Sequence, residues 1–264
     1  MLLSEPAPAK LNLALHVRGK LPDGRHAIET LFAFCVDGDV VEAEDAENVS
    51  LDIVGPFGEL IDGPNLVIAA AEALRAASRV TAGAALRLTK NLPVASGIGG
   101  GSADAAAALR LLTRLWGIDL AHASAVAPGL GADVPACLLS MTARGSGAGD
   151  ALELVDAGIA GVPVLLVNPR IALSTGAVFA AWDGVDRGPL GDWREGRNDL
   201  EAPARSLVPP IGECLEWISG QGADVARMSG SGATCFGLFA EKAARDAAAA
   251  CCPSTWWHLA THLR

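Results

Sequence analysis

The sequence predicts an α+β protein of two domains, the first formed by residues 1–155 and the second by residues 156–264. Three observations predict this class. Runs in which polar and apolar residues alternate, as in strands, are interspersed with runs in which apolar residues recur at helical spacing. A glycine-rich stretch at residues 93–103 joins a predicted strand to a predicted helix, and the pattern changes after a second glycine-rich segment at residues 145–149. A chain of 264 residues is long enough for two ordinary domains, each with an apolar core.

The first predicted strand covers residues 9–17, where polar and apolar residues alternate as they do in a half-buried strand. Lys10, Asn12 and His16 fall on one face of it, because the side-chain period of a strand is two. This polar face is either a functional surface or a solvent-facing edge. The other elements predicted before the glycine-rich stretch are a turn at 22–25, strands at 29–36 and within 37–54, a helix at 65–77 and a strand at 86–89.

The chain is organised around the stretch Pro93, Val94, Ala95, Ser96, Gly97, Ile98, Gly99, Gly100, Gly101, Ser102, Ala103. We expect Ser102 to cap the following helix, which Gly117 ends. The helix N-terminus presents free N–H groups and a positive dipole end, and glycines let the backbone close around a phosphate. Phosphate binding is therefore favoured over a flexible loop that binds nothing. The stretch lacks the lysine of a Walker A loop, which argues against that kind of phosphate loop. It has Ser102 where a dinucleotide fingerprint has its third glycine, which disfavours a dinucleotide oxidoreductase.

Asp133 lies among small and apolar residues, two positions before Pro135. It is either the N-cap of a helix or a general base whose pKa is tuned by apolar surroundings, and these interpretations are compatible.

The second predicted domain alternates helices and strands. Its predicted elements are a strand at 162–167, a helix from 174 to 182, a loop at 183–198, a helix at 211–219, strands at 224–228 and 234–239 around a second glycine loop at 229–233, a helix at 241–250 and a strand at 255–259. Together these predict a small α+β sandwich.

The composition limits the partners and the compartment. A net charge of −10 disfavours nucleic acid as a general partner. The first ten residues lack the apolar core of a signal peptide, and the apolar stretch 123–141 contains two prolines and Asp133, so we expect no membrane partner. Six cysteines without zinc or redox spacing indicate buried thiols in a reducing compartment. We therefore expect a cytoplasmic protein.

Taken together, the motifs resemble the GHMP kinases, the superfamily of galactokinase, homoserine kinase and mevalonate kinase. The glycine loop is typical of the superfamily. Lys10, Asp133 and the turn that leads to His26 are similar to one subfamily, which uses ATP to phosphorylate the 2-hydroxyl of a cytidine diphosphate-linked methylerythritol in the non-mevalonate isoprenoid route. Residues 7–13, 131–135, 168–169, 174–175, 198–201 and 228–237 also resemble that subfamily.

The resemblance implies a first domain like ribosomal protein S5 domain 2 and a ferredoxin-like second domain. It also implies that Asp133 is the catalytic base with Lys10 beside it. ATP would be bound by residues 93–103 together with Mg²⁺, for which Ser102 is a candidate contact. Two alternatives are another GHMP kinase acting on a small alcohol, and a catalytically silent member of the family that senses a ligand.

The same resemblance implies that Asn12, Arg25 and His26 face the cytidine half of the substrate. Arg25 is a departure, because the subfamily usually has Tyr at this place and this chain contains no Tyr. A planar guanidinium can also stack on a base, and it adds positive charge. In the alternative interpretation Arg25 points to solvent, and Phe179 or Trp182 covers the base.

Overall fold

The chain forms ten strands and eight helices in the computed structural model, which describes residues 1–264. The strands are β1 (Leu3–Lys20), β2 (His26–Ala46), β3 (Val49–Val54), β4 (Gly83–Thr89), β5 (Ala143–Ser146), β6 (Ala151–Leu154), β7 (Pro163–Asn168), β8 (Val225–Met228), β9 (Cys235–Leu238) and β10 (Trp257–His262). The helices are α1 (Leu66–Ser78), α2 (Gly100–Trp116), α3 (Leu120–Leu130), α4 (Val134–Leu139), α5 (Thr175–Ala180), α6 (Glu201–Leu207), α7 (Pro210–Gly220) and α8 (Lys242–Ala250).

The chain divides into two compact units that alternate along the sequence. The first unit comprises Met1–Ala9, Asp37–Val94 and Gly99–Ser140, and the second comprises Lys10–Val36, Ala95–Ile98 and Met141–Arg264. Strands β1 and β2 therefore each contribute to both units. The predicted domains divide the chain only once, near residue 155, and that division stays a prediction.

The first unit packs four helices, α1 to α4, with strands β3 and β4. Strand β3 pairs with β4 in parallel, and β4 pairs antiparallel with the second part of β2, from Val40 to Ala46. Helix α2 contributes a run of buried alanines and leucines, whose small side chains let neighbouring helices approach closely. Asn65 accepts a hydrogen bond from Val67 N at 2.8 Å and so caps α1.

The second unit is built on an antiparallel sheet in the order β10-β7-β9-β8. Helices α7 and α8 pack on this sheet, and apolar side chains such as Val167, Ile211 and Phe239 form its core. In the same unit the first part of β2 pairs with β5, which in turn pairs with β6. The alternation of helices and strands predicted for residues 162–259 is confirmed.

Strand β1 differs from the half-buried strand that the sequence predicts, because both of its faces are covered around the polar residues. Lys10, Asn12 and His16 are 3%, 2% and 3% exposed. The solvent-edge interpretation is therefore wrong for them. His16 Nε2 accepts the Arg197 N–H at 3.3 Å, and Nδ1 lies 3.1 Å from Gly188 O.

Helix α2 begins earlier than predicted. Gly99, in the left-handed conformation with φ 65°, is its N-cap, so Ser102 is the third residue of the helix and the prediction that it is the cap is wrong. Gly117 ends the helix as predicted, with φ 63°. Strand β2 joins the predicted strand at 29–36 to the strand-like residues that follow it. The sequence does not predict α3, α6, β5 and β6.

None of the helices combines the length and the apolar character that crossing a bilayer requires. All six cysteines are free thiols. Four of them are buried, as predicted, whereas Cys252 is half-buried and Cys251 is exposed.

Candidate functional site

The glycine-rich stretch has a backbone that few sequences tolerate. Ala95, Gly97 and Gly99 all have positive φ, at 50°, 76° and 65°. This conformation is unfavourable for alanine and favours glycine at the other two positions. At Gly97 any side chain also lacks space, because a Cβ atom there would lie 2.5 Å from the carbonyl oxygen of Ser229. The loop therefore needs glycine at this position for two independent reasons.

The second glycine loop, at residues 229–233, holds this loop in place within the second unit. Thr234 N donates to Ser96 O at 3.0 Å, and the Ser229 hydroxyl donates to Gly97 O at 3.0 Å. The same hydroxyl accepts a hydrogen bond from Asn12 N at 3.2 Å. From the sequence we predict this segment as a loop between two strands within a stretch that resembles the subfamily, with no role at the site assigned to it. Its Gly-Ser composition, which is similar to that of the first loop, was the signal for a role at the site.

A chain of buried hydrogen bonds orients Lys10 on strand β1. Lys10 N donates to Ile98 O at 2.9 Å, which fixes the strand to the glycine loop. Lys10 Nζ donates to Asn12 Oδ1 at 2.8 Å, and Asn12 Nδ2 donates to Thr30 Oγ1 at 2.8 Å. The ammonium also lies 5.1 Å from the ring centroid of Phe32, within the range of a cation–π contact. Thr30 and Phe32, which sequence reasoning missed, therefore help to fix the direction of this charge.

Asp133 occupies the N-cap position of α4 without capping it. Its backbone is helical, with φ −85° and ψ −13°, and its side chain makes no capping hydrogen bond. The predicted N-cap position of Asp133 is thus confirmed, but the side-chain hydrogen bond that a capping residue usually makes is absent. Helix α4 is anchored at its other end, because Arg110 Nη1 donates to Cys137 O at 2.8 Å while Arg110 Nε donates to Glu5 Oε1 at 2.6 Å.

Asp104, on the fifth residue of α2, faces inward. Lys90 Nζ donates to Asp104 Oδ2 at 2.6 Å and to Asp39 Oδ2 at 2.5 Å, and all three side chains are buried. Burial raises the pKa of Asp104 to about 8, although the charge of Lys90 acts in the opposite direction. The sequence left open whether Asp104 is turned away from a bound phosphate or faces a metal. The structure shows that it is turned toward Lys90.

The turn at Asp23–His26, in the second unit, places His26 in a cluster of aromatic rings and Arg25 between two carboxylates. The His26 ring stacks on Phe179 with ring centroids 4.7 Å apart, and Trp182 meets it edge-on at 5.7 Å. Burial and the charge of Lys20 lower the pKa of His26, so its ring is neutral at pH 7. Arg25, by contrast, is exposed, and Asp23 and Asp150 hold its guanidinium at 2.8 and 3.4 Å.

The residues present fit a phosphate group better than a metal cluster. The first N–H groups of a 17-residue helix, at Gly100, Gly101 and Ser102, follow a loop that is free of bulky side chains at its glycines. No group of three His, Cys, Asp or Glu side chains is arranged to hold a metal ion. Asp104 is hydrogen-bonded by Lys90 at 2.6 Å, and Ser102 carries a hydroxyl in the first turn of the same helix.

Comparison with known proteins agrees with this geometry. The family model of the GHMP kinases N terminal domain matches residues 65–141, and that of the GHMP kinases C terminal matches residues 185–256. The chain is 54% identical to a 4-diphosphocytidyl-2-C-methyl-D-erythritol kinase of Rhizorhabdus wittichii, with 99% of this chain and 94% of the relative covered. It is 51% identical to the kinase of the same name from Novosphingobium aromaticivorans, with 100% and 94% covered.

A solved structure supports the same assignment at the level of the fold. The crystal structure of a 4-(cytidine 5'-diphospho)-2C-methyl-D-erythritol kinase matches with a TM-score of 0.85 and 32% identity over 99% of both chains. The predicted two-domain GHMP kinase fold is thereby confirmed. The similarity extends over nearly the whole length of this chain and of its relatives. The chain therefore belongs to the 4-diphosphocytidyl-2-C-methyl-D-erythritol kinase family within the GHMP kinases.

Proposed function

We propose that this protein transfers the γ-phosphoryl group of ATP to the 2-hydroxyl of 4-diphosphocytidyl-2-C-methyl-D-erythritol, giving the 2-phosphate and ADP in the non-mevalonate isoprenoid route. The observation that carries this proposal is the full-length similarity to kinases of that name. Buried free thiols at Cys35, Cys137, Cys214 and Cys235 support a reducing cytoplasm as its location.

Phosphoryl transfer asks a protein mainly for positioning and for stabilisation of charge. Residues 93–103 bind the phosphates of ATP through backbone N–H groups and the N-terminus of α2. Asp133 accepts the proton of the attacking hydroxyl as the general base. Lys10, oriented by Asn12, supplies positive charge that stabilises the transferring group.

Mg²⁺ accompanies ATP in this proposal, and Ser102 is the residue that contacts it. When bound, the ion neutralises charge on the phosphates. Mg²⁺ typically keeps several waters and uses few protein ligands beside substrate phosphates, so a single serine hydroxyl would be enough.

The cytidine half of the substrate is assigned to Asn12, Arg25 and His26, together with Phe179. The stacked pair of His26 and Phe179 supports this assignment, because it provides an aromatic surface on which a base can stack. Arg25 supplies a positive charge for the diphosphate at the edge of this surface, where two carboxylates currently hold it.

We expect ADP release from ATP only when Mg²⁺ and the cytidine-linked methylerythritol are both present. The measurement is a coupled ADP assay with the full chain, in which mevalonate and homoserine serve as control alcohols. Equal activity on either control would contradict the substrate assignment and leave a GHMP alcohol kinase of another specificity. Absence of ADP formation with all alcohols would favour a silent, ligand-sensing protein.

We expect Phe179→Ala to raise the KM for the cytidine substrate about tenfold or more, because stacking on a base contributes roughly 1–3 kcal/mol. The KM for ATP should change little.

Arg25→Ala should raise the KM for the cytidine substrate much less than Phe179→Ala, since the exposed guanidinium is held by Asp23 and Asp150. If Arg25→Ala instead shows the larger loss and Arg25→Tyr restores it, the guanidinium is the group that stacks.

A further inference from the structure

Three ionisable side chains in the first unit are buried and unused by the proposed chemistry. Asp39, Lys90 and Asp104 are 1%, 2% and 3% exposed, and Lys90 Nζ donates to a carboxyl oxygen of each aspartate. A buried cluster of ionisable groups contributes little net stability, because desolvation offsets the attraction. This cluster is also incompletely satisfied, since Asp104 Oδ1 is buried and has no hydrogen-bond partner. Stability alone is therefore a poor reason for its presence.

The cluster contacts the chain on both sides of the glycine loop. On the side before Pro93, Asp39 Oδ1 accepts hydrogen bonds from Asn91 N at 2.5 Å and Leu92 N at 2.8 Å. On the side after Ala103, Lys90 Nζ reaches Asp104 on α2. Lys90 thus joins the two ends of the loop through side chains that water does not reach.

The cluster also lies directly against the start of helix α2. A Cβ atom on Gly100 would be 3.0 Å from Lys90 Nζ and 3.7 Å from Asp39 Oδ2. The ammonium therefore packs on the backbone of the first helical residue. A movement of Lys90 would be transmitted to the N–H groups of Gly100 and Gly101, which the proposed function assigns to the phosphates.

We propose that Asp104 is a positioning residue for nucleotide binding, which acts through Lys90 and Asp39 by fixing the span between the two ends of the glycine loop. The inference rests on the proposed function, because it takes the loop to be the phosphate site. Asp104 itself does not contact the nucleotide. Its hydrogen bond from Lys90 keeps the first turn of α2 aligned with residues 91 and 92.

The test compares Asp104→Ala with Asp104→Asn in the full chain. Alanine removes the acceptor for Lys90, whereas asparagine keeps an oxygen that Lys90 Nζ can reach. Thr113→Val is the matched control, because Thr113 is a buried polar residue on the same helix whose hydroxyl bonds only to Arg110 O. Each variant is titrated with MgATP by calorimetry, and KM is measured for both substrates.

We expect Asp104→Ala to weaken MgATP binding about tenfold or more, because small displacements of positioned groups have large effects. Its KM for the alcohol substrate should stay near that of the wild type. Asp104→Asn and Thr113→Val should bind MgATP within about threefold of the wild type, a change smaller than 1 kcal/mol. If the alanine variant does not fold, Asp104→Ser replaces it, since its hydroxyl is too short to reach Lys90.

The outcomes separate this inference from the proposed function. Wild-type affinity for MgATP in Asp104→Ala, with or without a lower Tm, would overturn the positioning role and leave the kinase assignment intact. Equal losses in the alanine and asparagine variants would also overturn it, because the hydrogen bond would then not be the cause. A wild-type chain that binds no MgATP would overturn the proposed function and this inference together.

Discussion

Asp133→Asn is expected to lower kcat by roughly 10²–10⁴-fold, the usual contribution of a general base. Asparagine is nearly isosteric with aspartate and cannot accept the proton of the attacking hydroxyl. The affinity for MgATP should change little, because the proposed nucleotide contacts lie in residues 93–103. Initial rates at saturating substrates, together with calorimetric titration of MgATP, measure the two effects separately.

A helix-cap role for Asp133 leads to a different expectation, which alanine variants can test. Asp119 accepts a hydrogen bond from Ala121 N at 2.8 Å and does cap α3, so Asp119→Ala should lower stability by about 1 kcal/mol without loss of kcat. Asp133→Ala should instead lower kcat strongly, because it removes the carboxylate that accepts the proton. A Tm loss in Asp133→Ala with normal turnover would contradict the role of base.

The second large effect is expected at Gly97, where alanine should weaken MgATP binding by about 100-fold. The backbone has φ +76°, and the new Cβ would lie 2.5 Å from Ser229 O and 2.6 Å from Gly232 O. These neighbours are backbone atoms, so the glycine loop and the second loop would have to separate. A displacement of about 1 Å in a positioned group can cost 10²-fold in activity.

Two other glycines provide controls for Gly97→Ala. Gly158 has φ +61° with nothing within 4 Å of a Cβ, so Gly158→Ala tests backbone strain alone. Gly129 lies in helix α3 in open space, and alanine there should be neutral or mildly stabilising. Both controls should keep normal affinity for MgATP. Normal affinity in folded Gly97→Ala would contradict the assignment of the phosphate site.

Local signals in the sequence were sufficient for the elements that carry the site. The glycine loop, the helix after it and its end at Gly117 follow from glycine conformation and helical periodicity, which act over a few residues. The alanine-rich run predicted a helix at 65–77 in the same way, and α1 covers Leu66–Ser78. The proposed roles of Lys10, Asp133 and residues 93–103 come from the family resemblance, because hydrophobic periodicity does not predict the role of a residue.

Only the tertiary structure decided which side chains support those residues. Thr30 is 18 residues from Asn12 and Ser229 is 132 residues from Gly97, so no local pattern links them. The direction of the Asp104 side chain is likewise set by Lys90, which donates to both Asp104 and Asp39. The sequence by itself determined the backbone conformations of the glycine loop and of the helix after it, because these depend on near neighbours. The partners of buried polar groups depend on how distant segments pack, and packing is a property of the whole fold.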